Sequence, residues 1–304
     1  MTHFHTSHQV VCFGEILWDI LPKATLPGGA PMNVAYHLKM LGNDPCLISR
    51  IGMDDNGNRL KEILVEKGIN TSYLQTDPIL PTGIVVAKPD ENNEVTYDIV
   101  QPVAWDSIQW DDRFFSLLTE SEYFVCGSLA ARSETSRDTL FSLLDMAKTK
   151  VVDINLRPPH FSRVNNEYLL KKADILKLNL SELELISTWY GVYEDDQSRI
   201  KSIQDKFDIK TIIVTMGGNG AMVMQNGILY SHNGYPVKVA DTVGSGDAFL
   251  AGFIHQLLKS APVESALAFA CSIGALVASY SGACPRYNTY EINELMHSNE
   301  KTSR

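Results

Sequence analysis

Asp241 to Phe253 read DTVGSGDAFLAGF: Gly244, Ser245 and Gly246 stand directly before Asp247, and an apolar, helix-like run follows at once. Glycines at a helix entrance carry an entropic penalty, so the arrangement calls for an offsetting contact. A helix starting there presents unpaired backbone N–H groups and the positive end of its dipole. Glycines let a ligand approach that backbone, which makes a cradle for a phosphate or a developing oxyanion. Asp247 in the first turn has two readings. It is either a carboxylate that interacts favourably with the helix N-terminus or a base that takes the proton of a hydroxyl attacking phosphorus.

Four further groups of residues could do related chemistry. PGGAPMNVAYHL places Gly28, Gly29 and Pro31 before a helix carrying Asn33, and Asp19 lies upstream in GEILWDILP. A carboxylate and an amide near strand ends can each bond two hydroxyls of a polyhydroxylated ligand; a turn with a capping Asn explains the same letters. In LKLNLSELELI, Asn179 and Glu182 fall three apart at a helix entrance, on one side, where magnesium-bound phosphates could lie. Ser181 with Glu184 fits a helix cap in the same place. VTMGGNGAMV, from Val214 to Val223, ends a strand in a Gly-rich turn that either contacts nucleotide phosphates or simply joins two strands. VVDINLRPPHF adds Asp153, Asn155 and Arg157 at another strand end. Arg157 could face phosphate oxygens or pair with Asp153.

Positioning these groups requires an ordered scaffold, and the chain alternates strand and helix. Apolar, β-branched runs at 10–16, 46–52, 122–127, 150–155, 174–179 and 211–217 read as strands. Helical stretches at 31–42, 56–68, 134–147, 181–190 and 196–207 lie between them. Short apolar strands bounded by helices predict a parallel sheet covered on both faces. Residues 82–100 break the rule, reading as two strands around a polar turn at Asp90–Asn93. With a second small β element near 15–30, this hairpin predicts a lid. The expected organisation is a single domain, 1–304, with lid strands inserted at about 15–30 and 82–104. Asp19, Asn155, Asn179, Gly217 and Gly244 all fall at or near the carboxyl ends of predicted strands, which in an open α/β sheet is the ligand crevice.

Composition narrows the options. The chain has 304 residues, 44% hydrophobic and 20% charged, with a net charge of -10. Such a chain can build a large core, and its acidity disfavours nucleic-acid or membrane-surface binding. Cys12, Cys46, Cys126, Cys271 and Cys284 form no CxxC pair, so reduced thiols and a cytoplasmic location are expected. The N-terminal MTHFHTSHQ lacks a signal-peptide pattern, and its His3, His5 and His8 read as a tail rather than a metal site. No apolar run approaches the ~20 residues of a membrane span. VVCFGEILWDI has only Gly14 where a dinucleotide fold needs G-x-G-x-x-G, and neither a P-loop nor the protein-kinase motifs occur.

Taken together, the motifs resemble the ribokinase-like sugar kinases, the PfkB carbohydrate kinase family. GEILWDILPKATLPGGAPMNVAYHLKMLGNDPCLISRIGMDDNG is similar to the family's N-terminal signature, and DTVGSGDAFLAGF to its C-terminal one. DINLRP, NLSE and VTMGGNG occur in the family's order between them, so the resemblance spans about residues 10 to 287. It implies a three-layer α/β/α ribokinase-like domain with a mostly parallel central sheet and a small β-sheet lid. It also implies a kinase using ATP and Mg2+. Asp247 would be the base, and Gly244, Ser245 and Gly246 the anion hole. Asp19, Gly29 and Asn33 would hold the sugar. Asn179 and Glu182 would organise the magnesium–phosphate cluster, Glu182 through water, while Thr215, Gly217 and Gly220 would border ATP. Asp241 and the Val243 carbonyl would be the ligands of a monovalent cation such as K+. Cys271 falls where many relatives carry an Asn beside the nucleotide, which leaves nucleotide preference open. Within the family the PGGAP segment is most similar to fructokinases, so the expected reaction is D-fructose to fructose 6-phosphate. Ribose, 2-keto-3-deoxygluconate or a nucleoside are the alternative acceptors, and a non-catalytic sugar or nucleotide sensor is the alternative class. Trp105 suits a lid residue stacking on a hexose, or else a core or lid anchor. An exposed lid sheet could pair subunits, so a homodimer is expected.

Overall fold

The computed structural model describes residues 9–21, 24–89 and 95–302. His3, His5, His8 and the Asp90–Asn93 turn lie outside the described residues. The chain opens with β1 (Val10–Phe13), β2 (Leu17–Leu21), β3 (Ala24–Gly28), α1 (Ala30–Met40), β4 (Pro45–Gly52), α2 (Asp55–Glu66) and β5 (Leu74–Asp77). Then come β6 (Gly83–Pro89), β7 (Val95–Ile99), α3 (Arg113–Glu120), β8 (Tyr123–Gly127), α4 (Glu134–Met146), β9 (Thr149–Asp153) and α5 (Arg163–Lys172). The remainder is β10 (Ile175–Asn179), α6 (Leu180–Ser187), α7 (Asp196–Phe207), β11 (Thr211–Thr215), β12 (Ala221–Gln225), β13 (Ile228–His232), α8 (Ser245–Leu258), α9 (Val263–Ala278) and α10 (Thr289–Thr302).

Nine strands form the main sheet in the order β13-β12-β11-β10-β9-β8-β1-β4-β5. Every pair from β11 across to β5 is parallel, and β12 and β13 add an antiparallel edge. That edge hairpin is absent from the sequence reading. Its signal was Asn226-Gly227, both in positive φ at 51° and 78°, the pair that favours a two-residue hairpin turn. Successive residues of β1 point to opposite faces. Val10 and Cys12 pack with Met32, Leu38, Leu250 and Phe253 of α1 and α8. Val11 and Phe13 pack with Leu140, Leu169 and Ile186 of α4, α5 and α6. Both faces of the sheet are therefore covered, which is why its strands read as apolar runs. The result is the three-layer ribokinase-like arrangement. The first strand stops at Phe13 rather than reaching Ile16. Among the described residues no helix is long and apolar enough to cross a membrane.

The small sheet has the order β3-β2-β6-β7. Its outer pairs are antiparallel, and β2 runs parallel to β6. Arg132 ties it to the body. Its Nε donates to Asp106 Oδ1 at 2.7 Å and its Nη2 to the Val100 carbonyl at 2.7 Å, just past β7. The guanidinium lies 3.9 Å from the Trp105 ring centroid. Trp105 is only 1% exposed, so it anchors the base of the lid and has no open face for a sugar. The Arg132–Asp106 pair is itself 2% and 4% exposed. Removing one partner of a buried pair strands the other's charge, so Arg132→Met should lower stability by about 3 kcal/mol, read as a shift of the urea unfolding midpoint.

Candidate active site

The α8 N-terminus is built as the sequence motif requires, with one change. Gly244 is its N-cap at φ 77°, ψ -7°, a left-handed conformation unfavourable for other residues. A Cβ at Gly244 would also lie 2.6 Å from the Ala283 Cα. Ser245 departs from expectation: its amide and hydroxyl both donate to the Thr242 carbonyl, at 3.3 and 3.0 Å. Among the described residues, the amides of this first turn without an internal acceptor are those of Gly246 and Asp247. These two amides, unlike that of Ser245, remain available to an incoming acceptor.

Asp247 Oδ2 accepts a 2.8 Å hydrogen bond from Asn33 Nδ2 in the first turn of α1. Cys284 Sγ donates to the other end of that amide, Asn33 Oδ1, at 3.3 Å. Burial, reinforced by the Asp153 charge, pushes the Asp247 carboxyl up to about 6, against the pull of Lys177, the Asn33 amide and Arg157. A carboxylate so tuned is ionised near neutral pH yet basic enough to take a proton.

Asp19 lies within β2, opposite Leu26 and Val85, rather than after a main-sheet strand. Its Oδ2 sits directly over Gly28, where any Cβ would overlap it, so the glycine is needed for close approach. Gly29 is the N-cap of α1, and the Ala30 amide donates to Glu15 Oε1 at 3.1 Å. Glu15 was not singled out in the sequence; its signal was an acid directly after an apolar strand. Burial pushes Asp19 up to about 6 and Glu15 up to about 7, and Arg157 pulls both down. Arg157 is exposed and forms no ion pair among the described residues. The alternative pairing with Asp153 is overturned, because Asp153 Oδ2 bonds Lys177 Nζ at 2.7 Å. Nearby Asn155 adopts φ 41°, a left-handed strand exit that asparagine tolerates better than most residues.

Beyond Gly246 opens a cavity of about 170 Å³ lined by Thr215, Gly217, Gly220, Ser245, Gly246 and Cys271, among others. These expected residues thus share one wall system. Tyr235, Val237, Gly274, Ala275 and Ala278 join them without having been anticipated. Burial pushes the Cys271 thiol up to about 12, so it presents a neutral S–H. Asn179 caps α6: its side chain accepts from the Glu182 amide at 2.9 Å, and Glu182 Oε2 accepts from the Asn179 amide at 2.8 Å. This capping box replaces the Ser181–Glu184 cap. Glu182 Oε1 takes the Leu156 amide at 2.7 Å, and the residue is 6% exposed. Direct metal ligation by Glu182 does not fit this arrangement, and no group of three or more acidic, His or Cys side chains among the described residues could hold a metal ion. Asp241 bridges two loops, accepting from the Val243 amide through Oδ1 and the Gly282 amide through Oδ2, each at 3.0 Å. It stays partly exposed, so its remaining lone pairs and adjoining carbonyls fit a hard monovalent cation.

Residues 9–289 match the description pfkB family carbohydrate kinase. The chain belongs to this family. It is 30% identical to a fructokinase of Klebsiella pneumoniae over 90% of this chain and 94% of that one. It is 29% identical to a probable chloroplastic fructokinase-6 of Arabidopsis thaliana, over 94% of this chain and 81% of that one. Among solved structures, a fructokinase with bound ATP from Xylella fastidiosa superposes with a TM-score of 0.85 at 22% identity, covering 96% and 99% of the two chains. A Vibrio cholerae fructokinase double mutant, in its fructose, ADP and potassium bound form, gives 0.82 at 24%, covering 95% and 98%. These relatives make the chain a fructokinase-like carbohydrate kinase of ribokinase-like fold.

The kinase's glycine at the α8 N-cap is testable. Gly244→Ala forces a left-handed alanine against Ala283, so a loss of about 2 kcal/mol in stability and at least tenfold in turnover is expected. Thermal unfolding and a steady-state assay on the same preparation check both.

Proposed function

We propose that this kinase transfers the γ-phosphoryl group of ATP to D-fructose, giving fructose 6-phosphate. One juxtaposition carries the reading: Gly246 lines the cavity of about 170 Å³, and the adjacent Asp247 is hydrogen-bonded to Asn33 on the side of Asp19 and Gly29. A sugar hydroxyl at that junction faces a base on one side and a terminal phosphate on the other. Asp19 and Asn33 bond sugar hydroxyls, and Asn33 exchanges its hold on Asp247 for one on the substrate. Asp247 takes the hydroxyl proton as the oxygen attacks in line. The Gly246 and Asp247 amides receive the charge of the transferring group. Arg157, whose charge reaches Glu15, Asp19 and Asp247 and which forms no ion pair among the described residues, supports it from outside. Asn179, Thr215, Gly217 and Gly220 border the nucleotide. Magnesium would enter on the ATP phosphates and water, and no step is assigned to it. A monovalent cation beside Asp241 and the Val243 carbonyl would add positive charge behind the cradle.

The known names of the relatives favour fructose over ribose, 2-keto-3-deoxygluconate or a nucleoside. Five free cysteines support a reducing, cytoplasmic setting. The open edges β3 and β7 of the lid support pairing into a homodimer.

An ADP-release assay across a sugar panel tests the reading: fructose should give the highest kcat/KM, and a higher value on ribose or a nucleoside would reject it. Asp247→Asn should lower kcat about 10²–10⁴-fold, the usual worth of a general base, with little change in nucleotide affinity. Because Asp247 sits at about 6 and must be ionised to act, kcat/KM should be flat above that pH. Below it, each pH unit should lower kcat/KM about tenfold as the carboxylate is protonated.

A further inference from the structure

Lys177 occupies an improbable place. It is the third residue of β10 and only 6% exposed. Its register partner on β9 is Asp153, itself 4% exposed. On this face of the two strands the preceding residues are Val151 and Ile175, both part of the apolar layer beneath α1, α8 and α9. An ion pair buried in such a layer is a poor stabilising device, because desolvation offsets most of the attraction. A well-packed apolar pair would serve the core equally well. The pair lies instead where the sheet meets the α8 N-terminus. A Cβ on Gly246 would fall 3.5 Å from Lys177 Nζ, so the ammonium lies against the backbone turn that holds Asp247. Asp153 turns one oxygen to Lys177; its other oxygen is buried without a hydrogen-bond partner among the described residues. No further donor therefore diverts the Asp153 charge from its surroundings.

We infer that Lys177, locked to Asp153, is a positioning residue for phosphoryl transfer: from beneath Gly246 it holds the Asp247 carboxylate charged and the α8 first turn in register with the reacting oxygen. The inference rests on the reading of Asp247 as the base. The titratable groups facing Asp247 are Asp153 on β9, Lys177 on β10, Arg157 after β9, Glu15 after β1 and Cys284 after α9. Lys177 stays cationic among them. Burial pulls it down, but the Asp153 carboxylate, with help from Asp247 and Glu182, outweighs burial and holds it above the ordinary lysine value. The two partners act on Asp247 with opposite sign. The Lys177 charge favours the anion and the Asp153 charge opposes it, so the pair sets the carboxylate's basicity by partial cancellation.

Opposed signs give a test that a merely structural pair would not pass. The pH profile of kcat/KM is measured for wild type, Lys177→Met, Lys177→Arg and Asp153→Asn. Lys177→Met should move the acid limb to higher pH by about one unit, the scale of a nearby charge, which lowers activity about twofold at pH 7 and about tenfold by pH 5, a loss that alkaline pH restores. Lys177→Arg keeps the charge and should retain the wild-type limb. Asp153→Asn should move the limb to lower pH. Should Lys177→Met fail to fold, Lys177→Met/Asp153→Asn is compared with Asp153→Asn, and the same upward displacement is expected. Limbs that stay fixed, or move the same way for both partners, overturn the inference. Asp247→Asn separates the two readings. If it retains both activity and the acid limb, the base assignment fails and the inference falls with it. If it abolishes activity while Lys177 and Asp153 variants keep the wild-type limb, the inference alone fails.

Discussion

The hydrogen bond from Asn33 to Asp247 joins residues 214 positions apart in the chain, and the rest of the site is arranged around it. For the two side chains to meet, the N-termini of α1 and α8 must converge on the same edge of the sheet. That convergence needs both helices on one face, packed on Val10 and Cys12 of β1. It also needs tight entrances, with Gly29 capping α1 and Gly244 capping α8. Two positive helix ends then point at one volume, which favours anions there. The cavity lined by Gly246 opens on one side of this point, and the Asp19–Gly28 contact of the small sheet lies on the other.

The cleft is acid-rich for a site that handles phosphates. Glu15, Asp19 and Asp247 all sit above the ordinary carboxylate range, burial being the first cause in each case. Positive charge comes from backbone dipoles, from the exposed Arg157 and from the buried Lys177. This division has a physical sense. Fixed dipoles stabilise charge that develops during reaction without collapsing onto a ground-state carboxylate. A fully paired Arg–Asp247 contact would hold that carboxylate too acidic to accept a proton.

Much of this was legible from residue types. The alternation of short apolar strands with helices gave the layered sheet, because strands covered on both faces must be apolar throughout. Asp247 and Gly244 were legible because a helix entrance with left-handed backbone packed against Ala283 needs Gly at that place. Less legible were partners chosen by strand register. Asp153 reads as equally able to pair with Arg157 four residues on, but its register neighbour Lys177 lies across the ladder and takes it. Ser245 reads as an anion donor until the Thr242 carbonyl is found within reach. Trp105 reads as either a sugar platform or a lid anchor, and Arg132 over its buried ring decides for the anchor. The edge hairpin of β12 and β13 carried a local Asn-Gly sign but no helix to separate its strands, so a reading tuned to alternation passed over it.

What the sequence alone determined was local: which segments are strand or helix, where backbone must be glycine, and which groups are able to accept a proton or cradle an anion. Those properties follow from short-range sterics and periodicity. Tertiary structure alone decided which of these groups share a volume and how strongly each feels the others. Asp247's basicity, Glu182's role as a clamp on two backbone amides, and the burial of Trp105 arise from contacts between segments distant along the chain. Burial and Coulomb interactions depend on distance through space, and spacing in the sequence does not encode that distance until the sheet and its helices have been assembled.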